Sequence, residues 1–362
     1  MNHHSSFHGY STAIERSRRM ALGLVATCAM VLGMAGTGVG TAAADTVIAT
    51  VDVGVFPSGV AVTPDGSHVY VANTVDDSVS VIDTGTDTVV DTIMVGGSPV
   101  GVAVTPDGSR VYVTENGVDS VSVIETFGNT VVGTVSVGDS PQGVAVTPDG
   151  SRVYVVNASV DSVSVIETFG NTVVATVMVG NSPRGVAVSP DGSRVYVTNG
   201  SAGSVSVIDT GTNAVVDTVT VGIGPRGVAV SPDGSRVYVA NASAGSVSVI
   251  DTFGNTVVGT VTVGTGPRGV AVSPDGSRVY ITNELDGSVS VIETSGDTVI
   301  DTVAVGDSPR GVAVSPDGFR VYVANQVAGT VSVIAVDRCT GSLCFDFGSL
   351  TGSGSGAGSM FS

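Results

Sequence analysis

The chain has 362 residues, enough for one large or two medium domains, and a formal net charge of −18. That charge argues against broad nucleic-acid binding, since a phosphate backbone calls for a basic footprint. It contains 50 Gly and no Trp, all 14 basic residues are Arg, and valine dominates its apolar fraction, which favours strands over helices.

Arg16, Arg18 and Arg19 precede the apolar run ALGLVATCAMVLGMAG, and the small residues TAAA follow before Asp45. A charged, then apolar, then small-residue order is that of a secretory signal peptide, here residues 1–44 with cleavage after Ala44. The apolar run is short for a membrane span, so no transmembrane anchor is expected in the mature chain. SRRMAL (17–22) fits a twin-arginine signal but lacks the Phe usual after that motif, so the Sec and Tat routes both stay open. Removing 1–44 takes away three arginines and Glu15 and moves the charge from −18 to −20. One histidine then remains, His68, with two cysteines, Cys339 and Cys344.

TVIATVDVG (46–54) alternates like a strand. Beyond it the turn PDG begins at Pro64, Pro106, Pro148, Pro190, Pro232, Pro274 and Pro316, a constant spacing of 42. Each copy holds four strand-like runs, in the fourth copy GVAVS (185–189), RVYVTN (194–199), SVSVID (204–209) and AVVDTVTV (214–221). Pro, Asp and Gly suit a type I turn with a left-handed glycine, and Gly with Asn closes the later hairpin of each copy. Four antiparallel strands in sequence make a blade, and blades with two apolar faces must stack in a ring. The predicted fold is therefore all-β, a seven-bladed propeller of 42-residue four-stranded repeats spanning 45–337. The seventh copy stops after its third strand, TVSVIAV (330–336), while TVIATVDVG matches the fourth-strand sequence TVVGTVTVG (256–264). The N-terminal strand is thus expected to close the ring and remove an open edge. Residues 338–362 form a tail that ends in a Gly/Ser-rich segment. In an exported protein its Cys339 and Cys344 are most simply one local disulfide.

YVTN (196–199), with YVAN, YVVN and YITN in other copies, resembles the YVTN-type β-propeller repeat of archaeal surface-layer and exported bacterial proteins. The resemblance covers 46–336. It implies the propeller fold but little about function, because propellers host binding, scaffolding and catalysis alike. Some relatives hydrolyse lactones and others carry quinone cofactors. The second copy departs from the motif, with Glu115 in place of the Asn.

What every blade shares reads as architecture. Tyr70, Tyr112, Tyr154, Tyr196, Tyr238, Tyr280 and Tyr322 hold one repeat position and are expected to pack between blades with bonded hydroxyls. Arg110, Arg152, Arg194, Arg236, Arg278 and Arg320, with His68 in the first copy, are expected to pair with the recurring acids. Phe127, Phe169 and Phe253 sit in hairpin turns and are expected to fold back over them.

Catalysis has little to build on. Ser–His chemistry needs a positioned base, His68 has no evident partner, and zinc-ligand spacings are absent, so no cofactor or metal is expected. What differs between blades is more informative. The connector ahead of each blade reads PxG, with Ser58, Val100, Gln142, Arg184, Arg226, Arg268 and Arg310 in the middle. The loops after the second strands are acidic in the first three blades, at Asp76 and Asp77, Glu115 and Asp119, and Asp161. Blades four, five and seven carry GSAG, ASAG and QVAG there, and blade six has Glu284 and Asp286. Connector and loop share one face, so that face is expected to divide into a basic arc of Arg184, Arg226, Arg268 and Arg310 and an acidic arc. The functional expectation is an exported, non-catalytic binding scaffold. Its partner would be a protein or envelope component, including a second copy docked basic arc to acidic arc. A lactonase-like hydrolase and a purely structural surface-layer component are the alternatives.

Overall fold

In the fourth blade, strands Pro183–Val188, Arg194–Asn199, Ser204–Asp209 and Ala214–Thr220 run antiparallel from the axis outward. The computed structural model describes residues 44–337, which form seven such four-stranded sheets with no helix. Valine at every second position drives this choice. β-branched side chains restrict χ1 in a helix but pack well on a pleated surface. The second and third strands are buried along almost their whole length, because each blade is covered on both faces by its neighbours. The cores accordingly lie between blades. Tyr154, Val163 and Val165 of blade three pack against Val195, Val197 and Ile208 of blade four.

The PDG turns form as their residues dictate. The glycines lie at φ 71–73° (Gly66, Gly108, Gly150, Gly192, Gly234, Gly276, Gly318), a left-handed conformation that side chains disfavour. The aspartate caps the turn. Asp65 Oδ1 accepts from the Thr63 hydroxyl at 2.6 Å and from the Ser67 amide at 3.0 Å. These hydrogen bonds hold the Asp65, Asp149 and Asp191 carboxyls down at about 2, with the neighbouring Thr or Ser hydroxyl contributing most.

The ring closes as the sequence implies. Thr46–Asp52 is the outer strand of the last blade, pairing antiparallel from Thr46 opposite Ala335 to Asp52 opposite Thr330. Asp45 ties the seam. Its buried carboxylate accepts from Arg278 Nη1 at 2.9 Å and from the Asp337 amide at 2.8 Å, and its own amide donates to Asp301 Oδ2 at 3.0 Å.

The tyrosines pack between blades, but their hydroxyls do not all bond as expected: Tyr280 reaches Asp45 at 3.5 Å, whereas the buried Tyr322 hydroxyl has no hydrogen-bond partner among the described residues. Tyr70, Tyr112 and Tyr154 donate to the Oδ1 of Asn129, Asn171 and Asn213 in the following blade, at 2.8, 2.9 and 3.3 Å. The strand-start arginines divide. Arg194, Arg236, Arg278 and Arg320 pair with Asp209, Asp297, Asp45 and Asp87, whereas Arg110 and Arg152 donate to the Thr168 and Thr210 carbonyls of the next blade. Phe127, Phe169 and Phe253 differ from expectation and stand fully exposed. Each lies two positions before a left-handed Asn (Asn129, Asn171, Asn255) in the outer hairpin turn of its blade, with its ring left in solvent. Cys339 and Cys344 lie outside the described residues.

Candidate binding site at the mouth of the axial channel

Each blade's inner strand begins with Pro, the variable connector residue and Gly, and there the ladder slips. In blade four Pro183 opposes Asn199 and Val186 opposes Val197, so two residues on one strand, Arg184 and Gly185, face one on the other, Thr198. The same slip recurs in every blade. A bulge of this kind re-aims a side chain. It brings Ser58, Val100, Gln142, Arg184, Arg226, Arg268 and Arg310 together around one end of the channel, in a cavity of about 420 Å³.

The glycine that follows is required by close approach. A Cβ on Gly59, Gly101, Gly143, Gly185, Gly227, Gly269 or Gly311 would lie under 3.0 Å from the carbonyl oxygen of the next blade's connector residue. The last of these contacts, Gly311 against Ser58, completes the circle. Hydroxyls brace it, with Thr114, Thr198 and Thr282 donating to the carbonyls of Gln142, Arg226 and Arg310 at 2.6, 2.6 and 2.7 Å.

The four predicted arginines therefore converge on the cavity. Burial, with the nearby Arg310 and Arg226 charges, pulls Arg268 down to about 10. Burial also lowers Arg184 and Arg310, with Arg226 adding repulsion in both cases. One carboxylate answers this charge. Glu284 Oε1 lies 2.5 Å from Arg268 Nη1 and 3.0 Å from Arg310 Nη2, and accepts from Arg310 Nε at 3.1 Å. Burial opposes its ionisation, but attraction to Arg268 and Arg310 outweighs that and leaves its carboxyl lowered overall. Arg184 and Arg226 form no ion pair among the described residues. The mouth thus holds four cations and one anion within a chain of net charge −18.

The acids of the first three blades do a different job. Asp77, Asp119 and Asp161 sit at φ 50–54°, where later blades have Gly203, Gly245, Gly287 and Gly329. Their Oδ1 atoms cap the amides of Ser98, Ser140 and Ser182 in the next connector, at 2.7, 2.8 and 2.7 Å. Asp76 caps the Val55 amide at 2.6 Å. These carboxylates stay on the loops beside the mouth, engaged with backbone, and none reaches an arginine among the ion pairs of the described residues. Glu115 is buried and takes over the repeat asparagine's place. Where Asn199 donates to Ser204 and Ser206 at 3.1 and 2.9 Å, Glu115 accepts from the Ser120 and Ser122 hydroxyls and from the Gly96 amide at 2.7 Å. Sequence reasoning missed the pairing of Glu284, although its place as an added acid in a loop that carries no charge in blades four, five and seven was visible.

Around the mouth the same loops and connectors expose Val75, Val118, Ile223, Leu285 and Val327. His68 contacts the Ser67 hydroxyl through Nδ1 at 2.7 Å, close to a PDG turn. Among the described residues no group of three or more His, Cys, Asp or Glu side chains could hold a metal ion, and no helix is long and apolar enough to cross a membrane.

Residues 44–149 and 188–278 match the model of the YNCE-like beta-propeller family, and residues 295–352 match that of lactonase, 7-bladed beta-propeller. No curated protein matches. Among solved structures, a chain of Kuenenia stuttgartiensis hydrazine synthase is similar, with 26% identity and a TM-score of 0.73 over 83% of this chain and 99% of that one.

Proposed function

The chain belongs to the YNCE-like beta-propeller family, and on that footing we propose that it is an exported binding protein whose recognition surface is the arginine-lined mouth of the channel. The carrying observation is the convergence of Arg184, Arg226, Arg268 and Arg310 on one cavity with a single acid among them. Cations gathered at a concave, half-buried place attract a complementary group more strongly than the same charges spread over open surface. The exposed apolar side chains on the surrounding loops suit a protein partner, since interface cores are apolar and depleted in charge. A protein or envelope component presenting an acidic group to the mouth satisfies both features. A second copy meets the same requirement through the acidic loops at Asp76, Asp77, Asp119 and Asp161. Export rests on the order of residues 16–44, and N-terminal sequencing of secreted protein should begin at Asp45.

The test is a variant with all four arginines changed to Ser, the residue the first blade already carries at this position as Ser58. It should still fold, with a lowered melting temperature because Glu284 loses both its partners, and lose capture of envelope partners, or self-association, most visibly at low ionic strength. Full binding by this variant across salt concentrations would remove the mouth as the recognition surface. The match of residues 295–352 to the lactonase model favours a second reading, a hydrolase acting on lactones. Acid release from a panel of lactones at the buffer rate would retire it.

A further inference from the structure

Blade six supplies its own ligand to the arginines, and the repeat shows where that ligand is missing. Glu284 directly follows Asn283 at the end of the second strand. Its carboxylate bridges the connector arginine of its own blade, Arg268, and that of the next, Arg310, with three N–H groups converging on one oxygen. Two repeats earlier the same three positions are Arg184, Gly200 and Arg226. Both arginines are kept. The carboxylate between them is gone, replaced by a residue with no side chain.

The notch left behind faces the arginines. A Cβ built on Gly200 would lie 3.4 Å from Arg184 Cγ, and its tightest contact, the Ser182 carbonyl oxygen, would be at 3.1 Å. A side chain starting there would run alongside Arg184, as Glu284 runs beside Arg268. The intermediate notch, Arg226 with Ala242 and Arg268, is already half neutralised because Arg268 is engaged by Glu284. The uncompensated charge is therefore concentrated at Arg184 and Arg226, which repel one another at the rim of the same cavity.

We propose that the notch between Arg184 and Arg226 is a carboxylate-binding site that takes from a ligand the group Glu284 provides internally one notch further round. This rests on the mouth being the recognition surface and adds the chemistry it recognises. A carboxylate matches the guanidinium fork in the way the Arg268–Glu284–Arg310 bridge already displays. It also brings less charge than a phosphate dianion toward a chain of net charge −18. The group is supplied either by a small carboxylic acid or by an acidic side chain or C-terminus of a protein partner.

The experiment titrates the purified protein at low ionic strength with succinate and, separately, with inorganic phosphate, following the arginine Nε–H resonances. Succinate should bind once and shift Arg184 and Arg226. Gly200→Glu places a carboxylate in the notch and should weaken succinate binding about tenfold or more, the loss expected when charge-assisted hydrogen bonds are already satisfied. Glu284→Ala vacates the second notch and should add a second equivalent of succinate. Capture of a protein partner that Gly200→Glu also abolishes would identify a protein carboxylate as the source. Capture that survives Gly200→Glu, but not replacement of all four arginines, would leave the mouth as the recognition surface and overturn the notch. Undiminished succinate binding by Gly200→Glu, no second equivalent with Glu284→Ala, or phosphate binding tighter than succinate would each overturn the assignment. Should Gly200→Glu fail to fold, the stoichiometry of Glu284→Ala decides alone.

Discussion

Replacing Val51 by Ala tests whether the closing strand is as firmly built as one joined by a hairpin. Val51 lies opposite Val331 and packs with Val60, Val69 and Val333 at the seam between the last and first blades. Its counterpart in blade four, Val219, lies opposite Val205 and packs with Val207 and Val237. Both are 5% exposed. Each substitution removes two methyl groups, worth about 0.8 kcal/mol apiece in transfer, and leaves a cavity that adds to the loss. The expected cost is about 2 kcal/mol at either position, or roughly 4 °C in melting temperature for a domain of this size. The two sites share their burial and their valine partner across the strand pair, and differ chiefly in that Thr46–Asp52 reaches its partner from the far end of the chain. Loop-closure entropy grows only slowly with length, so the two variants should lose equal stability in urea denaturation at neutral pH. A fall for Val219→Ala with no change for Val51→Ala would mean that the seam frays in solution, and the argument for closure as a source of stability would fail.

Three further outcomes follow from the geometry. Gly185→Ala should cost about 1–3 kcal/mol, because the new Cβ meets the backbone carbonyl of Arg226. Gly133→Ala on an outer strand, where a Cβ has nothing within 4 Å, should be neutral or stabilising in the same melting assay. Equal melting for the two would refute the ring of close contacts. Because Asp65, Asp149 and Asp191 titrate at about 2 when folded against 3.8 otherwise, their contribution is complete above about pH 4 and is lost as pH falls toward 2. Asp65→Asn should therefore lose stability at pH 6 and little at pH 2, and an equal loss at both would contradict the turn-cap account. Cleavage after Ala44 would turn the Asp45 amide, 3.0 Å from Asp301 Oδ2, into an ammonium group. A chain beginning at Asp45 should accordingly melt higher than one keeping Ala44, and Asp301→Asn should erase the difference. A difference that persists in Asp301→Asn would exclude that ion pair.

The repeat asparagine shows how far a one-letter pattern carries. Asn199 is legible as a recurring residue, and burial beside Ser204 and Ser206 explains the recurrence, since buried hydroxyls need partners. Glu115 reads in the sequence as a departure. In the structure it is a substitution within one role, because serine hydroxyls accept from an amide and donate to a carboxylate equally well. Phe127 shows the reverse, an apolar residue expected to fold back that stands fully exposed at a hairpin turn.

The number of blades, the antiparallel strand order and the split last blade, three strands from the end of the chain and one from its start, were determined by the sequence itself. The 42-residue period counts the blades, and alternation with Gly-bearing turns is a local property that survives without tertiary contacts. The period also fixes each residue's angular place, one position per blade around the axis. It says nothing of radial place or of where a side chain points. Those were decided by the bulge between Pro183 and Val186 and by the approach of Gly185 to the carbonyl of Arg226, which turn an arc of arginines on a face into a cluster at the channel mouth. The same packing let Glu284 reach two of them, and directed Asp77, Asp119 and Asp161 to backbone amides instead. Direction across a strand is set by which neighbour it packs against, and in this ring that neighbour is the next blade, 42 residues away except at the seam where the last blade meets the first.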